Sequence, residues 1–204
     1  MWGWREVSTD LRDIDGAWDH SLLGPAIEVG EGCVLARRAS FAGVRSEARA
    51  AVRLGARVHV HTWCAFNVEP EGRVAVGDDT TLVGAVVMCA ERIEIGRGVL
   101  VSYNVTLADS DFHPLAVDAR RRDAEACAPE GDRSGRPRLE SAPVVVEDGA
   151  ALGVGAIVLK GVVVGAGARV MAGAVVTHSV PPGAAVEGNP ARPVTPGARG
   201  MGAA

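Results

Sequence analysis

The sequence predicts an all-β protein, a parallel β-helix shaped as a triangular prism of about six coils. Three observations predict it. From Val146 an aliphatic residue returns every six positions: Val146, Leu152, Val158, Val164, Val170 and Val176. The fourth residue after each is small, in order Ala150, Ala156, Val162, Ala168, Ala174 and Val180. Aromatic residues make up only 4% of a chain that is 48% hydrophobic, so the core must be built from Val, Leu, Ile and Ala, as a narrow prism requires. A period of six fits neither a helix face nor a simple alternating strand. It fits a repeat in which each unit is one short strand plus one corner and three units close a coil. The aliphatic residue then points into the prism and the small one fits near the tight corner.

Along the chain, residues 1–26 come first, carrying Trp2, Trp4 and Trp18 among acidic residues. They are expected to cap the first coil, because an open β-helix end exposes unpaired strand edges. Residues 27–194 form the β-helix domain. Ahead of the regular array lie four triplets at the same spacing: Val29, Leu35, Phe41; Leu54, Val60, Phe66; Val76, Leu82, Met88; and Ile95, Val101, Leu107. The breaks fall after every third member, so all the insertions leave the prism at one corner. The longest is a loop excursion at about 108–145. Within it, residues 118–140 hold six acids and six arginines and few large apolar groups, which predicts a solvated arm able to lie across a neighbouring subunit. Residues 195–204 are small and predict a frayed, flexible tail. Much of the glycine falls at corners, where positive φ or close approach is needed.

A net charge of −4 with mixed signs gives no reason to expect a nucleic-acid partner. No apolar stretch approaches the roughly 18 residues of a membrane span. Met1 to Asp10 lacks the charged-then-apolar pattern of an export signal. Cys33, Cys64, Cys89 and Cys127 are widely spaced with no CxxC pair, which favours small buried thiols in repeat positions over zinc or disulfides. A reduced, cytoplasmic protein is the expectation.

The stretch Ala142-Pro-Val-Val-Val-Glu-Asp-Gly-Ala-Ala-Leu-Gly-Val-Gly-Ala-Ile-Val-Leu-Lys-Gly-Val-Val-Val-Gly, continued by Ala172-Gly-Ala-Val-Val-Thr-His-Ser-Val-Pro-Pro-Gly and Gly188-Asn-Pro-Ala-Arg, resembles the hexapeptide-repeat acyltransferases. Upstream, Arg92-Ile-Glu-Ile-Gly, Val101-Ser-Tyr-Asn-Val-Thr-Leu and Asp109-Ser-Asp-Phe-His-Pro-Leu are similar to the branch that acetylates maltose, galactosides and xenobiotics. The resemblance covers roughly residues 74–194. It implies a left-handed parallel β-helix, an exception to the usual right-handed crossover. It also implies a homotrimer that binds acyl-CoA, normally acetyl-CoA, in a groove between adjacent prisms, acts on a small-molecule acceptor and uses no metal.

His113, at the root of the excursion, is the residue that this resemblance marks as catalytic. Acyl transfer needs a base to take the acceptor's proton as it attacks the thioester, and an imidazole suits that task, contributing about 10²–10⁴-fold. Taken alone, the same residue would read as a surface histidine in a turn before Pro114. Asp109 and Asp111 precede it at alternating positions; either one of them orients the imidazole or both are solvated loop acids. Carried over by motif, Gly153, Ala172 and Gly173 would line the pantetheine, and Thr177, His178 and Arg192 would meet the phosphates or adenine of CoA. The glycines and Ala172 equally suit plain corner geometry. Two positions depart from the family pattern: Ala85 stands where sugar acetylators often carry an Asn, and Ala151 where an aromatic is common. They bear on the acceptor more than on the reaction, and they leave room for a catalytically inactive scaffold.

A γ-class carbonic anhydrase shares the prism but needs three histidines on zinc at a subunit interface. His59 and His61 share one strand face, with His113 as the third candidate, but the His-x4-His pair of that family is absent.

Overall fold

The computed structural model describes residues 18–61 and 63–194. Three parallel sheets form the faces of a prism, and the chain visits them in rotation as far as Val175–Val176; only an isolated bridge, Val164 with Val180, stands for the first sheet before the chain returns to the second. Sheet A stacks Ile27–Val29, Val52–Leu54, Arg73–Val76, Arg92–Ile95, Val144–Val146 and Val163–Val164. Sheet B stacks Val34–Leu35, His59–Val60, Thr81–Leu82, Leu100–Val101, Ala151–Leu152, Arg169–Val170 and Ala185–Glu187. Sheet C stacks Gly43–Val44, Ala65–Val68, Val86–Cys89, Thr106–Ala108, Ile157–Val158 and Val175–Val176. One strand from each sheet makes a coil, and six coils result.

The register follows from burial. Leu152, Val158, Val164, Val170 and Val176 are buried, as are Ala150, Ala156, Ala168 and Ala174 at the corners. Removing each Val or Leu side chain from water contributes roughly 1.5–3 kcal/mol, so the stabilisation is spread evenly along the axis. Glycine takes the left-handed corner at no steric cost, as at Gly155 (φ +69°) and Gly173 (φ +71°). Upstream corners place Arg57, Asp79 and Asn104 in the same region, so Asn104 serves the turn.

All four insertions leave between sheet C and sheet A, the corner that the triplet spacing predicted. The triplets themselves need two corrections. In the third coil the inward residue is Val87, not Met88: Val87 pairs with Phe66 and Leu107, whereas Met88 pairs with Asn67 and Ala108 on the outer face. Val87 follows Leu82 by five positions, because the corner at Gly84-Ala85 is one residue short. Phe41 lies in a 3-10 turn, Arg38–Phe41, rather than on a strand, and its ring stacks on Phe66 at 4.9 Å.

The excursion also departs from expectation. It is not an unstructured arm: it contains helix α1 (Val117–Ala126) and a 3-10 turn at Arg133–Gly135, and it folds back onto its own prism. The four cysteines are unpaired, with Cys64 and Cys89 buried in the repeat. Cys127 is instead the C-cap of α1.

At the C-terminal end, Arg192–Pro193 runs antiparallel to Ala185–Glu187 and covers the last sheet B edge. At the other end the indole of Trp18 donates to Leu35 O at 2.7 Å. Trp2, Trp4 and the tail at 195–204 lie outside the described residues. Among the described residues, no helix is long and apolar enough to cross a membrane.

Candidate functional site

The site is built at the corner between sheets C and A, where strand Thr106–Ala108 ends. Asp109 is fully buried, and its carboxylate accepts the backbone N–H groups of Ala90 (2.7 Å), Glu91 (2.8 Å) and Arg92 (2.8 Å). Both oxygens are thereby committed to the corner of the preceding coil, so Asp109 faces backbone and not the imidazole. Ser110 pairs with Ser141, and Ala142 N donates to Asp109 O at 2.9 Å. These bonds zip the outgoing limb of the excursion to the returning one.

Asp111 reaches outward to Lys160 Nζ at 2.8 Å. Lys160, the only lysine of the chain, also lies 3.7 Å from Glu140, so it clips both limbs to the fifth coil. The next residue, Phe112, is buried with φ +59°, and His113 N donates to Asp111 O at 2.8 Å. A left-handed non-glycine residue costs roughly 1–2 kcal/mol. Here the buried ring and the hydrogen bond from Arg136 Nη2 to Phe112 O (3.0 Å) hold it. The result is a sharp turn that projects His113 from the corner.

The His113 side chain is 74% exposed, and its Nδ1 lies 2.8 Å from Asp123 Oδ2 on α1. Its Nε2 has no hydrogen-bond partner among the described residues. Asp123 is buried, and its other oxygen accepts from Arg136 Nε at 2.8 Å. Burial alone would push the Asp123 carboxyl up, but the hydrogen bonds from Arg136 and His113 outweigh it and hold it below the usual carboxylate range. Arg136 is in turn 3.2 Å from Glu69, which also pairs with Arg45 and Arg133. Sequence reasoning missed Asp123, Arg136 and Glu69. A cleft of about 1030 Å³ opens beneath the excursion, lined by Glu69, Glu91, Ser110, Phe112 and Arg136 among others.

Five of the six residues assigned to CoA fall into two groups flanking the C-terminal part of sheet C, and Arg192 stands apart. Gly153, Ala172 and Gly173 stack at the corner between sheets B and C. A Cβ on Gly153 would lie 2.6 Å from Ala172 N, and Gly173 N donates to Val154 O. Thr177 and His178 sit on the other edge, with Thr177 Oγ1 2.8 Å from His178 Nδ1. That is the edge carrying His113, two coils away, on the order of 10 Å along the axis at ordinary strand spacing. Arg192 is exposed on the final strand. Of the six, none is hydrogen-bonded to the His113 network.

His59 and His61 face outward from sheet B with ring centroids 5.9 Å apart. His113 projects from the corner between the other two sheets, so the three histidines do not converge within one chain. Among the described residues, no group of three or more His, Cys, Asp or Glu is placed to hold a metal ion.

No protein-family model and no curated protein sequence matches the chain. Solved structures do. A hexapeptide-repeat acetyltransferase from Vibrio cholerae aligns at 29% identity over 60% of this chain and 61% of its own, with a TM-score of 0.49. A maltose O-acetyltransferase from Clostridium difficile 630 aligns at 27% identity over 59% of this chain and 57% of its own, with a TM-score of 0.47. The N-acyltransferase AntD from Bacillus cereus, in complex with dTDP and 3-hydroxybutyryl-CoA, aligns at 17% identity over 85% and 84%, with a TM-score of 0.64. The present chain thus spans about three-fifths of the length of the first two. The likeness to AntD establishes the fold, the left-handed hexapeptide prism.

Proposed function

We propose that this chain, which shares the prism of the hexapeptide-repeat acyltransferases, is itself an acyl-CoA-dependent acyltransferase. Acetyl-CoA is the expected donor, and the acceptor is the hydroxyl or amine of a small polar molecule such as a sugar or an aminoglycoside. The observation that carries this reading is the presentation of His113: a strained turn pushes it out of the prism, Nδ1 is engaged and Nε2 is open. In the reaction, Nε2 takes the proton from the acceptor O–H or N–H as the heteroatom attacks the thioester carbonyl. The tetrahedral intermediate collapses with loss of the CoA thiolate, which receives the proton from the imidazolium. Acylated acceptor and free CoA thiol leave. The thioester brings its own good leaving group, so the step asks only for a base and for positioning.

The small residues at Gly153, Ala172 and Gly173 support close approach of a donor chain along the corner between sheets B and C. Thr177, His178 and Arg192 would meet its polar end. Four unpaired cysteines fit the reducing cytoplasm.

Turnover is tested directly by presenting acyl-CoAs with sugars, aminoglycosides and amino acids and reading release of free thiol. Binding is tested separately: acetyl-CoA should raise the melting temperature by mass action, a stabilisation of about 2.7 kcal/mol at a hundred times its Kd. EDTA should leave that shift unchanged; loss of the shift on chelation would favour a metal site instead. The exposure of His113 and the flat prism faces support a homotrimer with sites between subunits. Light scattering at micromolar concentration should give three times the chain mass, and a monomer would contradict a shared site.

A further inference from the structure

We infer that Asp123 is the positioning residue of His113, fixing its tautomer and orientation, and that Arg136 holds Asp123 for that task. The inference rests on the proposed role of His113 as general base. An ionised carboxylate can only accept hydrogen bonds, and Asp123 Oδ1 already accepts from the Arg136 guanidinium at 2.8 Å. The Nδ1 facing Oδ2 at 2.8 Å must therefore carry the proton. In the neutral ring Nε2 is then left with its lone pair, on the side open to solvent. The other nearby acids are spent elsewhere: Asp109 on three backbone amides and Asp111 on Lys160.

The arrangement is built, not incidental. Asp123 is one of only two buried residues of α1, and the other is Ala126. Arg136, on the far side of the Arg133–Gly135 turn, bonds at once to Asp123, to Phe112 O and to Glu69. Glu69 follows the sheet C strand of the second coil, so a continuous line runs from the prism wall through Arg136 and Asp123 to the base. The groups facing Asp123 are His113, Arg136 and Cys127, whose Sγ is 4.0 Å from Oδ1. The excursion is thus a folded support for the imidazole. An ion pair whose carboxylate is buried also tolerates the loss of one partner poorly, which keeps the three side chains in one arrangement.

The test is Asp123→Asn, compared with Asp123→Glu and with His113→Ala. The Asn side chain keeps the shape but can present an N–H to Nδ1, which stabilises the wrong tautomer. Turnover should fall roughly 10²-fold or more, as when the orienting carboxylate of a catalytic triad is replaced by its amide, while KM for acyl-CoA stays within a few-fold. Asp123→Glu should restore part of the turnover. Parental turnover in Asp123→Asn, with His113→Ala inactive, would overturn the positioning role alone. Parental turnover in His113→Ala would instead remove the base and the positioning role with it. If Asp123→Asn does not fold, nitrogen-15 NMR of the native protein decides. His113, identified by its absence in His113→Ala, should show a protonated Nδ1 and an unprotonated Nε2; the opposite tautomer would overturn the inference.

Discussion

Replacing His113 with alanine is expected to lower turnover about 10²-fold or more and to leave the affinity for acyl-CoA nearly unchanged. In the proposed reaction the imidazole takes a proton only as the bond to the carbonyl forms, so its loss would raise the barrier without weakening donor binding. The fold should survive, because the side chain is largely exposed and lies outside the repeat core. Asp123 keeps Arg136 as its partner in the variant, so no buried charge is left alone. A solvated turn histidine would behave differently and could be replaced at little cost in rate. Turnover within a few-fold of the parent, measured on folded protein, would remove His113 and turn attention to His178, His59 and His61.

Asp109→Ala is expected to act on stability. It would strip three part-buried backbone N–H groups of a charged acceptor at once. Bonds to a charged group contribute about 1.5–3 kcal/mol each and are not additive, so a total loss of roughly 3–5 kcal/mol is expected. For a chain of this size that lowers the melting temperature by about 10 °C or more. Activity per folded molecule should stay near the parent at low temperature, because the carboxylate does not touch the imidazole. An unchanged melting curve with collapsed turnover would return Asp109 to the mechanism.

These two variants mark what the sequence could and could not reveal. The prism was legible because its stabilisation repeats: each Val or Leu of the later coils solves the same packing problem six residues after the last. Where the corner geometry changed, the pattern misled. The short corner at Gly84-Ala85 moved the core position from Met88 to Val87, and in the first coil Phe41 left the strand to stack on Phe66. His113 was legible because it sits in a motif at the root of the excursion, next to the last periodic strand.

The partners of His113 were not legible, for a physical reason. Helix α1 buries Asp123 and Ala126 rather than an apolar stripe, so no 3.6-residue hydrophobic period announces it. Its placement comes from ion pairs formed across long sequence separations, Arg136 with Asp123 and with Glu69. Nothing local distinguishes Asp123 from Asp118, which lies on the same helix and is exposed. Asp109 and Asp111 drew attention through proximity in sequence, but the backbone turn at Phe112 sends the imidazole toward α1 instead.

The most direct test of the account is acceptor-dependent release of free thiol from acetyl-CoA by the purified protein. The expected result is thiol release that rises with a polar hydroxyl- or amine-bearing acceptor, matched one for one by acylated product. The contradicting result is release no faster with any such acceptor than without one, together with no rise in melting temperature on adding acetyl-CoA.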